Sequence, residues 1–164
     1  MGETLSARLI SPRIEAGRQL RIAGLCRHYT PETMMEIPAQ WQRLASFFGK
    51  IPGRLGRVDY GVCFSKGDGV DYLSGVEVAE SSRLPAEFVE VSIPALTYAV
   101  FPHRDHVSKL CHTIETIWNT GLEHFGRKPL RGKNGAPAFF ERYGEDFDPQ
   151  TGMGGMEVWV PIKA

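Results

Sequence analysis

The sequence predicts a single α+β domain in which two pseudo-symmetric strand–helix–strand–strand units share one antiparallel sheet, with the helices on one side and a groove on the other. Three observations predict it. The chain has 164 residues, 42% hydrophobic and 23% charged, which is the size and apolar content of one globular domain with one core. Strand-like runs bounded by turn signals alternate with two amphipathic helical stretches. An internal repeat then ties them together: a unit from about Gln19 to Ala79 is matched by one from about Leu96 to Ile162, and the matched features keep an offset of about 76 to 80 residues. Neither unit can cover its own sheet, so the two are expected to join as one domain over residues 1–164.

The elements follow in order. A first extended run is expected at residues 6–14 and a second at 19–28, where Leu20-Arg21-Ile22-Ala23-Gly24-Leu25-Cys26 is apolar. Met34, Ile37, Trp41, Leu44 and Phe48 make the stripe of the first helix. Pro38 suits its first turn, and Gly49 and Pro52-Gly53 end it. Strands at 58–65 and 72–79 flank the turn Ser65-Lys66-Gly67-Asp68-Gly69, and another is expected at 87–92. The second unit opens at 96–102 with Tyr98-Ala99-Val100-Phe101-Pro102. Its helix places Val107, Leu110, Cys111, Ile114, Ile117, Trp118 and Gly121 on one face, with Asp105 as N-cap and Gly121 or Gly126 as the stop. Closing strands at 137–143 and 155–162 are separated by the turn Asp148-Pro149-Gln150-Thr151-Gly152. Gly155-Met156-Glu157-Val158 matches Gly75-Val76-Glu77-Val78 of the first unit. Trp41 and Trp118 sit on helical stripes and read as core packing.

Charge narrows the function. Nineteen basic residues balance nineteen acidic ones, and a protein that neutralises phosphates needs a basic excess or stripe. The densest basic run, Arg127 to Lys133, reads as a solvated loop, and no helix-turn-helix is evident, so direct nucleic-acid binding is not expected. No run approaches the ~20 apolar residues that cross a bilayer, and no apolar leader is present. Three cysteines, Cys26, Cys63 and Cys111, lack paired spacing and read as small buried hydrophobes of a reducing, cytoplasmic compartment. His103-Arg104-Asp105-His106 with His112 matches no zinc spacing, so no metal and no cofactor are expected. No nucleophile elbow, phosphate loop or dinucleotide fingerprint occurs.

The candidate site comes from strand alternation. Phe139, Glu141 and Tyr143 share a face, with Phe140 and Arg142 opposite; Glu157 and Trp159 share a face, and Glu77 lies with Leu73 and Gly75. Glu77, Glu141 and Glu157 are therefore candidate groove carboxylates, with Tyr60, Tyr98, Tyr143, Phe139 and Trp159 as aromatic walls. A carboxylate among aromatic rings attracts a delocalised organic cation, and each cation–π contact contributes roughly 0.5–2 kcal/mol. An unpaired buried carboxylate has a raised pKa, a strain that a cationic ligand relieves. A competing expectation pairs Glu141 with Arg104 or Lys109 inside the core.

Several stretches resemble GyrI-like domains, the effector-binding halves of AraC-type and MerR-type drug-responsive regulators such as Rob and BmrR. They are Tyr60-Gly61-Val62-Cys63-Phe64, Tyr72-Leu73-Ser74-Gly75-Val76-Glu77-Val78, Pro94 to His103, Ala138-Phe139-Phe140-Glu141-Arg142-Tyr143 and Val158-Trp159-Val160-Pro161-Ile162. The resemblance implies the paired fold with a central groove, and places Glu141 where the family keeps a groove carboxylate. It implies a stand-alone binder of bulky hydrophobic, often cationic, drugs or toxins. It also implies two alternatives, a hydrolase of strained cyclopropane-bearing toxins and a protein partner of gyrase or of a separate regulator. The sequence departs from the family pattern after the second helix, where Thr120-Gly121-Leu122-Glu123 replaces a frequent Trp-Leu-Pro.

Overall fold

The computed structural model describes residues 10–80 and 83–164. Eight strands form one antiparallel sheet: β1 (Arg13–Ala16), β2 (Leu20–Tyr29), β3 (Arg54–Lys66), β4 (Gly69–Val78), β5 (Val89–Ile93), β6 (Thr97–His103), β7 (Phe139–Tyr143) and β8 (Met156–Pro161). Their order across the sheet is β1-β6-β8-β7-β3-β4-β2-β5. The two repeat units are β2-helix-β3-β4 and β6-helix-β7-β8, and they meet where β3 pairs with β7. Each unit is preceded by a strand that lies at the edge of the other unit, β1 on β6 and β5 on β2. This reciprocal exchange is why neither half closes alone.

The connections force the sheet to curl. Strands β1 and β2 stand six places apart, ~29 Å in a flat sheet at ~4.8 Å per strand. Only residues 17–19 join them, and four Cα steps reach at most ~15 Å. Residues 94–96 make the equivalent short link from β5 to β6. The two links touch, the Gly17 N–H donating to the Leu96 carbonyl at 2.8 Å. The helix-free face is thereby rolled inward, and it buries Ile22, Val62, Leu73, Ile93, Tyr98, Val100 and Phe140 without any helix over it.

The helices cover the other face. A 3-10 turn (Met34–Glu36) leads into α1 (Ile37–Ala45), with Pro38 in its first turn as the sequence predicts. Gln40 is buried on this helix. It accepts from the Tyr29 hydroxyl at 2.6 Å and donates to the Leu25 and Tyr72 carbonyls and to Ser74, pinning α1 to β2 and β4. The second helix is composite: a 3-10 turn (Val107–Lys109), α2 (Leu110–Thr116), a π-helical turn (Ile117–Gly121) and α3 (Leu122–His124). Its apolar stripe packs on Ala99, Phe101, Val158 and Val160.

Four expectations need correction. The first strand is Arg13–Ala16 rather than 6–14, and residues 6–9 of that range lie outside the described residues. The N-cap of the second helix is His106, whose side chain accepts from the Ser108 N–H, while Asp105 accepts one residue earlier from the His106 N–H. Gly121 does not stop that helix but lies in the π turn, and Gly126, with positive φ, ends it. Only Cys63 is buried; Cys26 and Cys111 are exposed. Among the described residues no helix is long and apolar enough to cross a membrane.

Candidate functional site

Glu141 lies on β7 at the junction of the two halves, directly opposite Gly61 of β3. Alternation along β7 turns Phe139, Glu141 and Tyr143 toward the helices and Phe140 and Arg142 toward the curled interior. Trp118 of the π turn packs against Phe139, and Trp41 of α1 and Phe139 both pack on the Tyr29, Cys63 and Tyr72 cluster. Trp41 also stands edge-on to Tyr143, with centroids 5.2 Å apart. Glu141 thus lies on the helix-covered face, among aromatic rings, rather than in the helix-free groove where the sequence places it, because alternation along β7 turns Phe139, Glu141 and Tyr143 together toward the helices.

That carboxylate is 9% exposed and is held by neutral donors. The Tyr72 hydroxyl donates to Oε1 at 2.6 Å and the Tyr143 hydroxyl to the same oxygen at 2.9 Å. Trp41 Nε1–H in turn donates to the Tyr72 hydroxyl at 2.9 Å. Among the described residues no arginine, lysine or histidine pairs with Glu141. Arg104 and Lys109 are both exposed. Among the described residues, the fully buried side-chain atoms lacking a partner are Arg54 Nε and Tyr98 Oη. Glu141 Oε2, which has no hydrogen bond either, therefore keeps an open side.

Burial pushes the Glu141 carboxyl up to about 6, against the opposing pull of the Tyr72 and Tyr143 hydroxyls. Burial, reinforced by the Glu141 charge, raises both tyrosines well above the usual phenol range, so they remain proton donors. Close approach requires Gly61. A Cβ there would stand 2.2 Å from Tyr72 Oη and 2.5 Å from Glu141 Oε1.

The three carboxylates expected to converge do not. Glu77 and Glu157 lie on the inward face, away from Glu141, and each is neutralised. Arg18 grips both oxygens of Glu77. Arg13 donates to Glu157 at 2.7 Å, Trp159 Nε1 donates at 3.0 Å and Arg142 stands at 3.7 Å. Burial pushes Glu157 up, but these three partners outweigh it and hold the group below its ordinary value. Tyr60, Tyr98 and Trp159 also belong to the inward face, so the expected walls split into two places. Phe139 and Tyr143 stay with Glu141.

Sequence reasoning missed Tyr72, Gly61, Asp59 and the site role of Trp41 and Trp118. A phenol on the core face of β4 needs a partner for its polar tip, and that signal could have found Tyr72. Asp59, opposite Tyr143 on β3, is bound by Arg54 at 2.9 Å, although burial leaves its pKa raised. His103 is buried in bonds to Thr113 and the His106 carbonyl. Among the described residues no group of His, Cys, Asp and Glu is arranged to hold a metal ion.

Comparison with known proteins supplies four relations. The sequence profile of the GyrI-like small molecule binding domain matches residues 11–163. The chain is 28% identical over 128 residues to the transcriptional regulator BrlR of Pseudomonas aeruginosa, covering 74% of this chain and 44% of the regulator. It thus spans less than half of that relative. Its fold is similar to SAV2435 solved bound to tetraphenylphosphonium, with TM-score 0.71, 20% identity and coverage of 94% of this chain and 95% of that one. It is also similar to the C-terminal domain of EcmrR, with TM-score 0.64, 13% identity and coverage of 95% and 98%.

Proposed function

The chain belongs to the GyrI-like small-molecule binding domain family, and on that premise we propose that it takes a bulky lipophilic cation between its two helices, with Glu141 as counter-ion. Trp41, Trp118, Phe139 and Tyr143 are the walls. One observation carries the reading: a buried carboxylate held only by neutral donors, with one oxygen still open. A delocalised cation relieves that charge without bringing in a strongly hydrated ammonium, and at ~5 Å and an effective dielectric of ~20 the attraction is ~3 kcal/mol. The rings add cation–π contacts. Trp118 already supports one such contact, from Arg131 at 5.5 Å from its ring.

Two relations support the class of ligand and role. The similar fold of SAV2435 was solved with tetraphenylphosphonium, and a relative in sequence is a transcriptional regulator. Drug or toxin sensing, or sequestration, follows as the biological role. The hydrolase reading requires a second carboxylate converging on the first. Glu77 and Glu157 face the other way and Asp59 is committed to Arg54, so the geometry favours binding over hydrolysis.

The test is calorimetric titration with tetraphenylphosphonium and with neutral triphenylphosphine oxide, on the parent chain and on Glu141→Gln. The parent should prefer the cation, and the variant should lose at least tenfold in cation affinity, ~1.4 kcal/mol, with little change for the neutral compound. Equal cation affinity in the two proteins removes Glu141 as the counter-ion.

A further inference from the structure

The curled interior contains a cavity of about 420 Å³ on the face opposite Glu141. Its floor is aromatic. Phe140 and Trp159 stack at 5.4 Å with their planes 17° apart, and Tyr60 and Tyr98 stand edge-on to Phe140. Its rim carries Arg13, Arg18 and Arg142. One wall is the link between β1 and β2, where a Cβ on Gly17 would meet the Tyr98 ring at 2.5 Å. The volume lies within the range of small-ligand sites, ~300–1,000 Å³.

We propose that this cavity binds a planar aromatic carboxylate, its rings on the Phe140–Trp159 floor and its carboxylate on Arg142. Arg142 decides the sign of the charge. Arg18 is taken up by Glu77, and Arg13 by Glu15 and Glu157. Arg142 has no carboxylate within hydrogen-bonding distance; the nearest is Glu157 at 3.7 Å. It is the most loosely paired of the three, and its planar fork can turn from Glu157 and the Tyr60 hydroxyl to meet a carboxylate in the geometry guanidinium favours. The floor supplies the second element, because a flat ring extends an existing offset stack. The third is the Tyr98 hydroxyl, buried with no partner among the described residues. A buried donor left without an acceptor is costly, and a ligand acceptor reaching it recovers that loss. The two proposed sites thus take ligands of opposite charge on opposite faces of one strand, β7.

The experiment uses the full chain labelled with nitrogen-15, titrated separately with 2-naphthoate, 2-naphthamide and tetraphenylphosphonium while the three tryptophan indole N–H resonances are followed. Trp159→Phe assigns the resonance of the inner cavity. The expected result is saturable naphthoate binding that moves the Trp159 signal, with naphthamide at least tenfold weaker. Arg142→Gln should lower naphthoate affinity roughly tenfold. Tyr98→Phe, which removes the unpartnered hydroxyl, should weaken it severalfold while raising thermal stability. Glu141→Gln should leave naphthoate binding in place, whatever it does to the phosphonium. Absence of saturable naphthoate binding overturns the proposal. So does equal binding of the amide, or naphthoate shifts confined to Trp41 and Trp118 and abolished by Glu141→Gln. Loss of phosphonium binding alone bears on the helix-side site and leaves this cavity untouched.

Discussion

Replacing Glu141 by glutamine should make the protein more stable at neutral pH. The side chain keeps its shape and its Oε1 acceptor for Tyr72 and Tyr143, and the new NH₂ takes the place of the open Oε2. What disappears is a buried charge without a cation. The folded protein holds that proton up to about 6, against an ordinary 4.5. Between those values the native state binds more protons than the unfolded chain, so the Glu141 contribution falls as pH rises through the window. At ~1.4 kcal/mol for each tenfold in proton affinity, the ionised group destabilises the fold by ~2 kcal/mol once pH exceeds about 6. In a domain of this length that corresponds to ~4–8 °C in Tm. The assay is thermal unfolding of parent and variant, followed by circular dichroism, at intervals from pH 4 to pH 8. The two should coincide near pH 4 and separate progressively, the variant reaching its full advantage by pH 7. A gap independent of pH, or a variant less stable than the parent at pH 7, would refute the view of Glu141 as an uncompensated buried acid.

Three further outcomes follow from the same geometry. Tetraphenylphosphonium affinity should be about tenfold weaker at pH 5 than at pH 7, because the ligand needs the ionised form of a group titrating near 6; a flat calorimetric pH profile excludes this. Gly61→Ala should cost ~1–3 kcal/mol in urea unfolding, since its Cβ meets Tyr72 Oη and Glu141 Oε1, and should impair cation binding beyond the loss in stability. Gln40→Leu should cost ~2–4 kcal/mol by leaving the Tyr29 hydroxyl and two buried carbonyls without their partner; denaturation midpoints decide it.

The order of elements was legible because each rests on local pattern. Period-two alternation divided β7 correctly, with Glu141 on one face and Arg142 on the other, and the stripe from Ile37 to Leu44 marked α1. Alternation does not say which face of one strand coincides with which face of the next; pairing register decides that, and pairing is long-range. For this reason Glu77, Glu141 and Glu157 looked convergent in sequence and are divided in space. The first strand was misplaced for a related reason. Arg13–Ala16 is extended because β6 lies beside it, and the short polar run does not predict that by itself.

The site itself depends on a departure from repetition. Two units of one design meet at β3 and β7, and strict symmetry would invite like side chains to face each other across the join. Two carboxylates there would repel in a low-dielectric setting. The chain instead sets a carboxylate on β7 against a glycine on β3. The space that glycine leaves is filled from a third strand by the Tyr72 hydroxyl, itself fixed by Trp41 from the helix. The repeated scaffold thus supplies the two tryptophans, while a single unmatched position supplies the charge. Glu141 can stay buried and ionisable without a cation of its own because phenols, rather than an arginine, surround it, and in the function proposed above that leaves the counter-ion's place to a ligand.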